Sequence, residues 1–309
     1  MRVLITGGAG FIGSHLAEQL QERAAVCILD NLSSGHRRNL RGLRMKLIEA
    51  SILDRAAVSR AMQGVDYVFH LAAMVSVPES VHRPHACVEA NVIGLLNVLE
   101  EAAAAGVRRL CFSSSAAVYG DNLQSPKTED LPPAPVSPYA ITKLDGEYYC
   151  RMFATAGRLE TVVLRYFNVF GPRQDPASAY AAAVPVFIRE ALAGRPLTIF
   201  GDGLQTRDFV FVKDVAAANV FAATTPGLSG VFNVGCGRQI AILELARRII
   251  AVTGSASVIR YASGRPGDVR HSRADISKLL ATGFQPATSL DAGLEATVAF
   301  FRSSPIPPT

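Results

Sequence analysis

Closely spaced cysteines are missing from the sequence. Its five cysteines are odd in number and lie far apart, so they form neither a CxxC metal motif nor the disulfide framework of a small secreted domain. His82 and His85 form an HxxH pattern, but no cysteine or carboxylate at ligand spacing completes a metal set. We therefore expect a protein of the reducing cytoplasm that carries no metal ion.

Long apolar runs are also missing. Met1 leads directly into the short run RVLIT, without the apolar core of a signal peptide. The stretch from Val215 to Gly237 has no charge, but it contains Pro226 and Gly227 in its middle. It predicts a helix, a turn and a strand instead of a membrane span, and no membrane partner is expected.

Charged residues are few, at 18%, and hydrophobic residues make up 49%, which is typical of a folded globular protein. The net charge is +5, from 31 Lys and Arg against 26 Asp and Glu, and it favours an anionic partner. The basic residues are spread thinly and are not interleaved with aromatic residues, so no nucleic-acid partner is expected. A small molecule that carries phosphate explains the excess at least as well.

Short apolar runs alternate with helical stretches through the first half of the 309 residues. Continuous apolar strands between helices predict an α/β protein with a Rossmann-like, doubly wound parallel sheet. The predicted strands are Arg2–Thr6, Ala25–Asp30, Lys46–Ala50, Tyr67–Ala72, Arg109–Ser113 and Thr161–Tyr166. The predicted helices between them are Ile12–Arg23, Asp54–Met62, His85–Ala105 and Pro138–Ala156.

After residue 166 the pattern loosens. A hairpin-like turn is expected at the GDG of residues 201–203, and a strand at Val231–Val234. Helices are expected at Val186–Ala193, Val215–Ala223, Ile242–Thr253, Ile276–Ala281 and Asp291–Phe301. We interpret residues 1–166 as the sheet domain and 167–309 mainly as a smaller C-terminal α/β lobe that binds substrate. The chain is expected to return to the sheet around residues 208–235.

A glycine-rich stretch, TGGAGFIGSH at residues 6–15, follows the first predicted strand and opens the first predicted helix. It satisfies G-x-G-x-x-G at Gly8, Gly10 and Gly13, and G-x-x-G-x-x-G beginning at Gly7. Glycine is needed because side chains would keep a pyrophosphate away from the helix N-terminus. Asp30 ends the second predicted strand, where a carboxylate binds both ribose hydroxyls and repels a 2′-phosphate. Residues 1–166 are therefore predicted to bind NAD in preference to NADP.

Three polar side chains form a candidate catalytic set. FSSSAAVYG at residues 112–120 follows the fifth predicted strand, and SPYAITK at residues 137–143 opens a helix. Tyr139 and Lys143 are four residues apart and share one helix face. A lysine ammonium beside a phenol favours the phenolate and lowers the pKa of the tyrosine. Ser115 can hold the same substrate oxygen through its hydroxyl.

These motifs resemble those of the extended short-chain dehydrogenase/reductase family, and the resemblance covers nearly the whole chain. RYFNVFGPRQDP at residues 165–176 and GDGLQTRDFVFVKDV at residues 201–215 look like segments that bind nucleotide sugars in UDP-hexose 4-epimerases. The match is best with UDP-N-acetylglucosamine 4-epimerases. It implies NAD as cofactor, a UDP-sugar as substrate, and a homodimer formed through a four-helix bundle of helices 85–105 and 138–157. Packing of these helices on the sheet would also explain their broad apolar faces.

The resemblance also implies site residues. Cofactor contacts are expected from Gly7, Gly10, Phe11, Ile12, Gly13, Asp30, Asn31, Ser34, Gly35, Ser51, Ile52, Leu71, Ala72, Ala73, Asn91, Tyr139, Lys143 and Tyr166. Substrate contacts are expected from Ser76, Ser115, Tyr139, Asn168, Arg207, Arg265, Asp268 and Ser272. For Asn91 a role in helix packing is as good an explanation, and Ser76 is equally well explained as a turn serine.

RPGDVRHSRAD, residues 265–275, resembles the late epimerase segment that contacts the UDP. By that match Arg265 binds the diphosphate, and Asp268 binds the uridine ribose or orients Arg265. Ser272 stands where the family has a gate beside the 2-substituent of the sugar. Tyrosine there goes with non-acetylated hexoses, whereas a small residue leaves room for an N-acetyl group. Arg270 and Arg273 are expected to be solvated.

Two positions depart from patterns of the superfamily. Ala50-Ser51-Ile52 replaces the usual Gly-Asp-Ile after the third strand, where Ser51 can still form a hydrogen bond to the cofactor. Ala116 and Ala117 stand where nucleotide-sugar dehydratases and decarboxylases carry a further acid or base. Because alanine transfers no proton, elimination and decarboxylation are disfavoured.

The expected reaction is 4-epimerisation of a UDP-hexose through a transient 4-keto intermediate. UDP-GlcNAc and UDP-GalNAc are the favoured pair, with UDP-Glc and UDP-Gal as further candidates. Three alternatives stay open: another nucleotide-sugar epimerase such as a UDP-glucuronate 4-epimerase, a net nucleotide-sugar reductase, and a catalytically silent NAD(H)-binding protein.

Overall fold

The computed structural model describes residues 1–176, 182–264 and 269–303. The strands are β1 Arg2–Thr6, β2 Ala25–Asp30, β3 Lys46–Glu49, β4 Tyr67–His70, β5 Arg109–Ser115, β6 Glu160–Tyr166, β7 Asn168–Phe170, β8 Leu197–Phe200, β9 Thr206–Arg207, β10 Phe209–Phe211, β11 Gly230–Val234, β12 Ile240–Ala241 and β13 Ile259–Ala262. The helices are α1 Phe11–Leu20, α2 Arg55–Ala61, α3 Val77–His82, α4 Pro84–Val88, α5 Gly94–Ala104, α6 Pro138–Thr155, α7 Ala183–Leu192, α8 Val212–Thr224, α9 Ile242–Thr253, α10 Ser277–Leu280 and α11 Leu290–Ser303. Two short 3-10 turns span Arg37–Leu40 and Ala116–Tyr119.

The central sheet has seven parallel strands in the order β11-β6-β5-β4-β1-β2-β3. Strand β1 lies between β2 and β4, so the direction of winding reverses beside β1. In such a sheet, ligands bind outside the carboxyl ends of the strands at this switch point. The predicted α/β class with a doubly wound sheet is confirmed.

Apolar cores cover both faces of the sheet. On one face, α1 and α8 pack their buried side chains against the strands, and on the other face α2, α5 and α6 do the same. This explains why the inner strands lack alternation: β1, β4, β5 and β6 are buried on both faces. The two layers of helices leave the carboxyl ends of the strands as the edge at which the predicted motifs collect.

A third core belongs to the C-terminal lobe. Helices α7, α9 and α11 enclose apolar side chains of β7, β8 and β10. Strand β8 pairs in parallel with β13, and β9 pairs with β12. The expected hairpin at residues 201–203 is therefore wrong, because the strands on its two sides pair with different partners. Gly201 and Gly203 both have a φ of +77°, which lets the chain turn between the two small sheets.

The helix predicted over residues 85–105 has an irregular middle. A π-helical turn, Glu89–Ile93, separates α4 from α5 without ending the helix. Asn91 lies in this turn, and its side chain is buried. Such wide turns occur mostly at functional sites, and here the turn lies beside α6, which carries Tyr139 and Lys143.

In the described part of the chain, no helix is both long and apolar enough to cross a membrane.

His15 joins α1 to the lobe and makes stability depend on pH. Its Nε2 lies 2.8 Å from the Pro172 carbonyl oxygen, and burial lowers the pKa of the imidazole to about 4. The unfolded chain, with an ordinary pKa near 6.5, therefore binds a proton at pH values where the folded chain does not. We expect His15 to remove about 2 kcal/mol of unfolding free energy between pH 6.5 and pH 5, a loss that continues towards pH 4.

Denaturant unfolding of wild type and His15→Gln at these pH values measures this loss. Glutamine can still donate to the Pro172 carbonyl, and it does not titrate. The variant should therefore show a smaller decrease, whereas equal decreases for both proteins would contradict the assignment.

Candidate active site

The glycine-rich turn between β1 and α1 leaves no space for side chains. Gly7 has a φ of +71°, and a Cβ there would lie 2.6 Å from the Ala72 backbone nitrogen. A Cβ on Gly13 would lie 2.3 Å from the Gly7 carbonyl oxygen, and one on Gly8 would lie 2.7 Å from the Ile28 side chain. The loop thus packs as closely as its glycines allow, and its backbone is brought to the first turn of α1.

The N-terminus of α1 is open to an anion. Gly10 is its N-cap residue, and no side chain of the described residues accepts a hydrogen bond at this cap. Phe11 and Ile12 begin the helix and are partly buried. The backbone N–H groups of the first turn therefore suit a pyrophosphate, which is the part of NAD that this turn would hold.

Asp30 ties the glycine turn to the end of β2. Its Oδ2 accepts a hydrogen bond from the Ala9 backbone N–H at 2.8 Å, and its Oδ1 accepts one from the Leu32 N–H at 2.8 Å. Each carboxylate oxygen keeps acceptor capacity for a ribose hydroxyl. Asn31 and Ser34 are exposed in the following loop, and Gly35 passes close to the Asp30 carboxylate. The residues present fit the adenosine ribose of NAD.

The remaining predicted cofactor residues surround the same edge of the sheet. Leu71, Ala72 and Ala73 follow β4 and are partly buried, with the Leu71 N–H donating to the Thr6 carbonyl. Ser51 accepts a hydrogen bond from the Leu53 N–H, and Ile52 is buried against Gly94. The structure thus places the predicted cofactor contacts of residues 7–73 along the carboxyl ends of β1, β2, β3 and β4.

Gly13→Ala tests whether the glycine-rich turn between β1 and α1 binds NAD. The new methyl group would meet the backbone of Gly7 and Gly8, which cannot move without opening the turn. We expect the affinity for NAD to fall at least a hundredfold, because the loss of close backbone approach removes several phosphate contacts. Isothermal titration with NAD measures it. Gly264→Ala, where a Cβ meets only open space and Gly201 at 3.9 Å, is the matched control and should bind NAD normally.

The three predicted catalytic side chains meet at the carboxyl end of β5. Ser115 is the last residue of β5, and Tyr139 and Lys143 lie on the first two turns of α6, which packs against β5. The Ser115 side chain lies near the Tyr139 hydroxyl and acts on the pKa of the phenol as a hydrogen-bond partner. The Ser115 Oγ also accepts a hydrogen bond from the Ala117 N–H at 3.1 Å. The Lys143 Nζ lies 5.8 Å from the centroid of the Tyr139 ring and donates to the Ser113 carbonyl oxygen at 2.8 Å.

The pKa of Tyr139 moves in the opposite direction to the expectation. Burial raises it, and the hydrogen bond with Ser115 offsets only part of this effect. The sequence argument assumed an ammonium next to the phenol oxygen, but Lys143 lies over the ring face and binds a carbonyl. Burial also lowers the pKa of Lys143 to about 8, so the lysine is mostly protonated at neutral pH.

Two serines that the sequence analysis missed hold Tyr139 in place. Ser137 caps α6 by accepting a hydrogen bond from the Ala140 N–H. Ser80, which is completely buried on α3, accepts one from the Tyr139 N–H at 3.1 Å. The SPY sequence indicated the cap, whereas no local pattern marks Ser80, because its partner is 59 residues away.

Asn91 fixes the loop after β4. Its Oδ1 accepts a hydrogen bond from the Met74 N–H at 2.7 Å, and its Nδ2 donates to the Met74 carbonyl at 3.0 Å and to the Thr142 hydroxyl at 3.0 Å. These bonds join the π-helical turn, the loop and α6. The packing role weighed for Asn91 is thus present in the structure, and its cofactor contact stays a prediction.

Tyr166 is buried with its hydroxyl already engaged. The hydroxyl lies 2.9 Å from the Ser113 Oγ and is paired with the side-chain amide of Asn219. Burial raises the pKa of this phenol well above its ordinary value. Its contact with the cofactor stays a prediction, and the side chain shown here serves the core below the site.

Several predicted substrate residues lie together on the lobe side. The backbone N–H of Ser272 donates to the Thr206 carbonyl at 3.1 Å, which places Ser272 beside Arg207. Arg207 donates from its guanidinium to the Thr206 carbonyl. Asn168 donates to the Asp208 carbonyl from both its backbone N–H and its Nδ2. Arg265 and Asp268 lie outside the described residues.

Ser76 has a structural role in addition to the predicted contact. It caps α3 by accepting a hydrogen bond from the Glu79 N–H at 3.2 Å. The explanation as a turn serine thus describes what its hydroxyl does here, and the sugar contact stays a prediction.

Asp208 holds together the segments of the site that face the C-terminal lobe, and the sequence analysis missed it. Its buried carboxylate accepts hydrogen bonds from the backbone N–H groups of Cys236, Gly237 and Ala274. Burial raises its pKa to about 6, against these hydrogen bonds. Asp208 therefore joins β10, the turn after β11 and the segment that carries Ser272.

Comparison with known proteins agrees with this geometry. The model of the NAD-dependent epimerase/dehydratase family matches residues 3–235. The chain is 39% identical to a UDP-glucose 4-epimerase of Mycolicibacterium smegmatis, over 98% of this chain and 99% of that protein. Among solved structures, it is similar to a UDP-N-acetylglucosamine 4-epimerase from Methanobrevibacter ruminantium in complex with UDP-N-acetylmuramic acid (TM-score 0.95, 41% identity, 98% of both chains).

A UDP-glucose 4-epimerase from Thermotoga maritima, solved with UDP-glucose, is similar to the same degree (TM-score 0.94, 41% identity, 98% of this chain and 99% of that one). The predicted family and the prediction of NAD as cofactor are confirmed. The chain belongs to the NAD-dependent epimerase/dehydratase family.

Proposed function

We propose that this protein is an NAD-dependent 4-epimerase of UDP-hexoses. One observation carries the proposal: Ser115 and Lys143 both lie beside Tyr139, while Ala116 and Ala117 directly follow Ser115. In this arrangement Tyr139 exchanges a proton with one sugar hydroxyl. That is what oxidation and re-reduction at a single carbon require.

Residues of this chain transfer the proton of the sugar hydroxyl. The Tyr139 phenol exchanges the O4 proton of the sugar, and Ser115 holds the same oxygen. The Lys143 ammonium stabilises the phenolate while the proton is on the sugar side, because its charge lies over the ring. Bound NAD supplies a hydride acceptor and donor for C4 of the sugar.

Epimerisation also needs a firm hold on the nucleotide and a loose hold on the hexose. Arg207 suits the diphosphate, because a guanidinium fork matches phosphate oxygens better than an ammonium does. Asn168 lies next to Arg207 through their shared neighbour Asp208, and it can reach the sugar or a phosphate. A 4-keto sugar held only through its UDP can turn over and present its opposite face.

Dehydration is disfavoured by the residues that follow β5. Ala116 and Ala117 begin the 3-10 turn directly after Ser115 and are partly buried. Elimination of water needs a second acid or base beyond Tyr139, and neither alanine can serve. Within a family of epimerases and dehydratases, this position favours the epimerase.

The preferred substrate is proposed to be UDP-GlcNAc and its epimer UDP-GalNAc. The two similar solved structures are named for different sugars at the same identity, so overall similarity does not choose between them. Ser272 does favour one: it is small, partly buried and held beside Arg207 by its backbone. A serine there leaves room for a 2-acetamido group.

Incubation of the purified protein with UDP-GlcNAc, UDP-GalNAc, UDP-Glc and UDP-Gal, each separately, tests the proposal. The anomeric protons of the sugars are followed by NMR. We expect each acetylated sugar to convert to the same mixture, at a higher kcat/KM than the non-acetylated pair. Conversion of the non-acetylated pair alone would keep the epimerase and refute the acetyl preference. No conversion of any of the four would refute the proposed function.

We also propose a homodimer that joins two copies of α4–α5 and α6. Exposed apolar side chains lie along these helices, and the largest are Val88, Ile93, Ile141, Tyr148 and Met152. Two such faces would bury one another as a four-helix bundle. Sedimentation analysis should show a dimer that Met152→Glu dissociates and that Val258→Glu, at an exposed valine elsewhere, leaves intact. A wild-type monomer would contradict the proposal.

The proposed compartment is the cytoplasm. All five cysteines are free, and three of them are buried in the sheet and helices. Thiols that are not paired suit a reducing compartment.

A further inference from the structure

A buried ion pair lies below the catalytic set, and the proposed mechanism does not use it. Arg165 on β6 donates through Nε to the Glu147 Oε1 at 2.8 Å and through an Nη to the Glu147 Oε2 at 2.7 Å. The Arg165 side chain is 6% exposed and the Glu147 side chain is 4% exposed. The Ser114 hydroxyl donates to the same Oε1 at 2.5 Å. The ion pair is therefore bidentate, its carboxylate accepts a further hydrogen bond from Ser114, and it is almost completely buried.

The polar contacts continue from Arg165 towards the lobe. Its second Nη donates to the Tyr119 hydroxyl at 2.9 Å, and that hydroxyl donates to the Asn233 Oδ1 at 2.7 Å. The Asn233 Nδ2 then donates to the backbone carbonyls of Lys127 and Asp275, at 2.9 and 3.1 Å. We call Ser114, Tyr119, Glu147, Arg165 and Asn233 the buried network.

The two ends of the buried network lie at the two halves of the site. Glu147 is one helical turn after Lys143 on α6, and Ser114 directly precedes Ser115. At the other end, the segment from Ser272 to Asp275 is held by Lys127, whose N–H donates to the Arg273 carbonyl and whose carbonyl accepts from the Asp275 N–H. The network thus spans from the catalytic helix to the segment with the proposed sugar gate.

We propose that Glu147 and Arg165 are positioning residues that couple the catalytic helix α6 to the segment of residues 272–275. A buried ion pair adds little stability compared with apolar side chains of the same volume, because desolvation cancels much of its attraction. It does impose one geometry, since each charge must meet its hydrogen-bond partners. The kinetic part of this proposal rests on the proposed function, and the structural part does not.

A second ion pair, between β5 and β6, provides a comparison. Arg109 on β5 is 5% exposed and pairs with Glu160 on β6, and it donates to the carbonyls of Ala222 and Thr225. Arg109 is the first residue of β5, at the opposite end of the strand from Ser115. Arg109→Lys is therefore the control for Arg165→Lys: each variant loses a buried guanidinium, but only Arg165→Lys loses contacts with the buried network.

Hydrogen exchange tests the coupling without any substrate. In the full-length protein, the amides of Ala274 and Asp275 are followed by mass spectrometry. Tyr119→Phe and Arg165→Lys should speed their exchange about tenfold or more, and Arg109→Lys should leave it within twofold of wild type. If the amides of residues 274–275 exchange at the wild-type rate in both network variants, the coupling is refuted, whatever the enzyme turns over.

Kinetics separate positioning from stability. Glu147→Gln changes the end of the buried network that lies on α6. It should lower kcat about tenfold to a hundredfold, as expected when a catalytic group on α6 is displaced by about 1 Å, and leave KM within twofold of wild type. Tyr119→Phe keeps the ring but removes the hydroxyl that links Arg165 to Asn233, and it leaves the bidentate pair of Arg165 and Glu147 in place. It should therefore raise the KM for the UDP-sugar about fivefold and leave kcat within twofold.

The double variant Glu147→Met with Arg165→Met removes both charges and fills the space. We expect a melting temperature near that of wild type and a kcat as low as that of Glu147→Gln. Wild-type kcat in a stably folded double variant would show that the pair serves folding alone and would overturn the proposal. If the wild-type protein turned over no UDP-hexose, the proposed function would be refuted. The amide exchange rates of residues 274–275 would still test the coupling of α6 to the segment of residues 272–275.

Discussion

Tyr139→Phe is expected to lower kcat for the UDP-hexose by roughly a thousandfold, within the range that a general acid or base contributes. The variant loses one hydroxyl group, which is not needed to hold the helix, since Ser80 and Ser137 hold the backbone there. KM for the nucleotide sugar and affinity for NAD should change little. Steady-state kinetics by NMR and titration with NAD measure these quantities.

Tyr261→Phe is the control for this variant, because it removes the hydroxyl of an exposed tyrosine on β13. It should keep wild-type kcat. Full turnover by Tyr139→Phe would remove the phenol from the mechanism. Full biological activity of that variant without turnover would revive the alternative of a silent NAD(H)-binding protein.

Ser272→Tyr is expected to abolish turnover of UDP-GlcNAc and to spare that of UDP-Glc. The Ser272 backbone is fixed by its hydrogen bond to Thr206. A backbone shift therefore cannot move a phenol ring at this position out of the site. The ring would fill the space proposed for the 2-acetamido group, and the smaller 2-hydroxyl would still fit. The kcat/KM of each sugar should change independently: a loss of at least a hundredfold for the acetylated one and less than fivefold for the other, as when a pocket rejects a larger group.

Ser272→Ala is the matched control, because it removes the hydroxyl and keeps the side chain small. It should turn over UDP-GlcNAc at a rate close to that of wild type. Unchanged activity of Ser272→Tyr on the acetylated sugar would remove this residue from the account of specificity. Equal losses on both sugars would show that the tyrosine disturbs the site as a whole.

Strands of the central sheet could be predicted because their signal is local. β1 and β2 have the predicted bounds, and β6 begins one residue earlier than predicted. The last two residues of β5, Ser114 and Ser115, were left out of the predicted strand because serines do not look like part of an apolar run. Their place in the strand is what aims Ser115 at the site.

The short strands of the lobe could not be predicted. β9 and β12 have two residues each, and β7 and β10 have three. Such segments show no periodicity, and they exist because each finds a partner distant in the chain. The same reason explains the wrong hairpin at residues 201–203, since glycines mark a turn but do not tell which strands pair.

Motifs revealed the residues that face ligands, but they did not reveal the residues that hold them. Ser115, Tyr139 and Lys143 were predicted together, and the structure brings them together. Ser80, Asp208 and the pair of Glu147 and Arg165 were missed, because a buried polar residue is recognised only when its partner is known. The pKa of Tyr139 was predicted in the wrong direction for a related reason: sequence spacing does not tell how deeply a phenol is buried.

The central claim is epimerisation at C4 of a UDP-hexose, and a label at that carbon tests it most directly. UDP-GlcNAc and UDP-Glc, each deuterated at C4, are incubated with the purified protein and NAD, and the products are analysed by NMR. We predict the C4 epimer of at least one sugar with deuterium still at C4, without steady formation of reduced, deuterated NAD. Release of a 4-keto sugar while reduced, deuterated NAD accumulates, or the absence of any epimer from both sugars, would contradict the account.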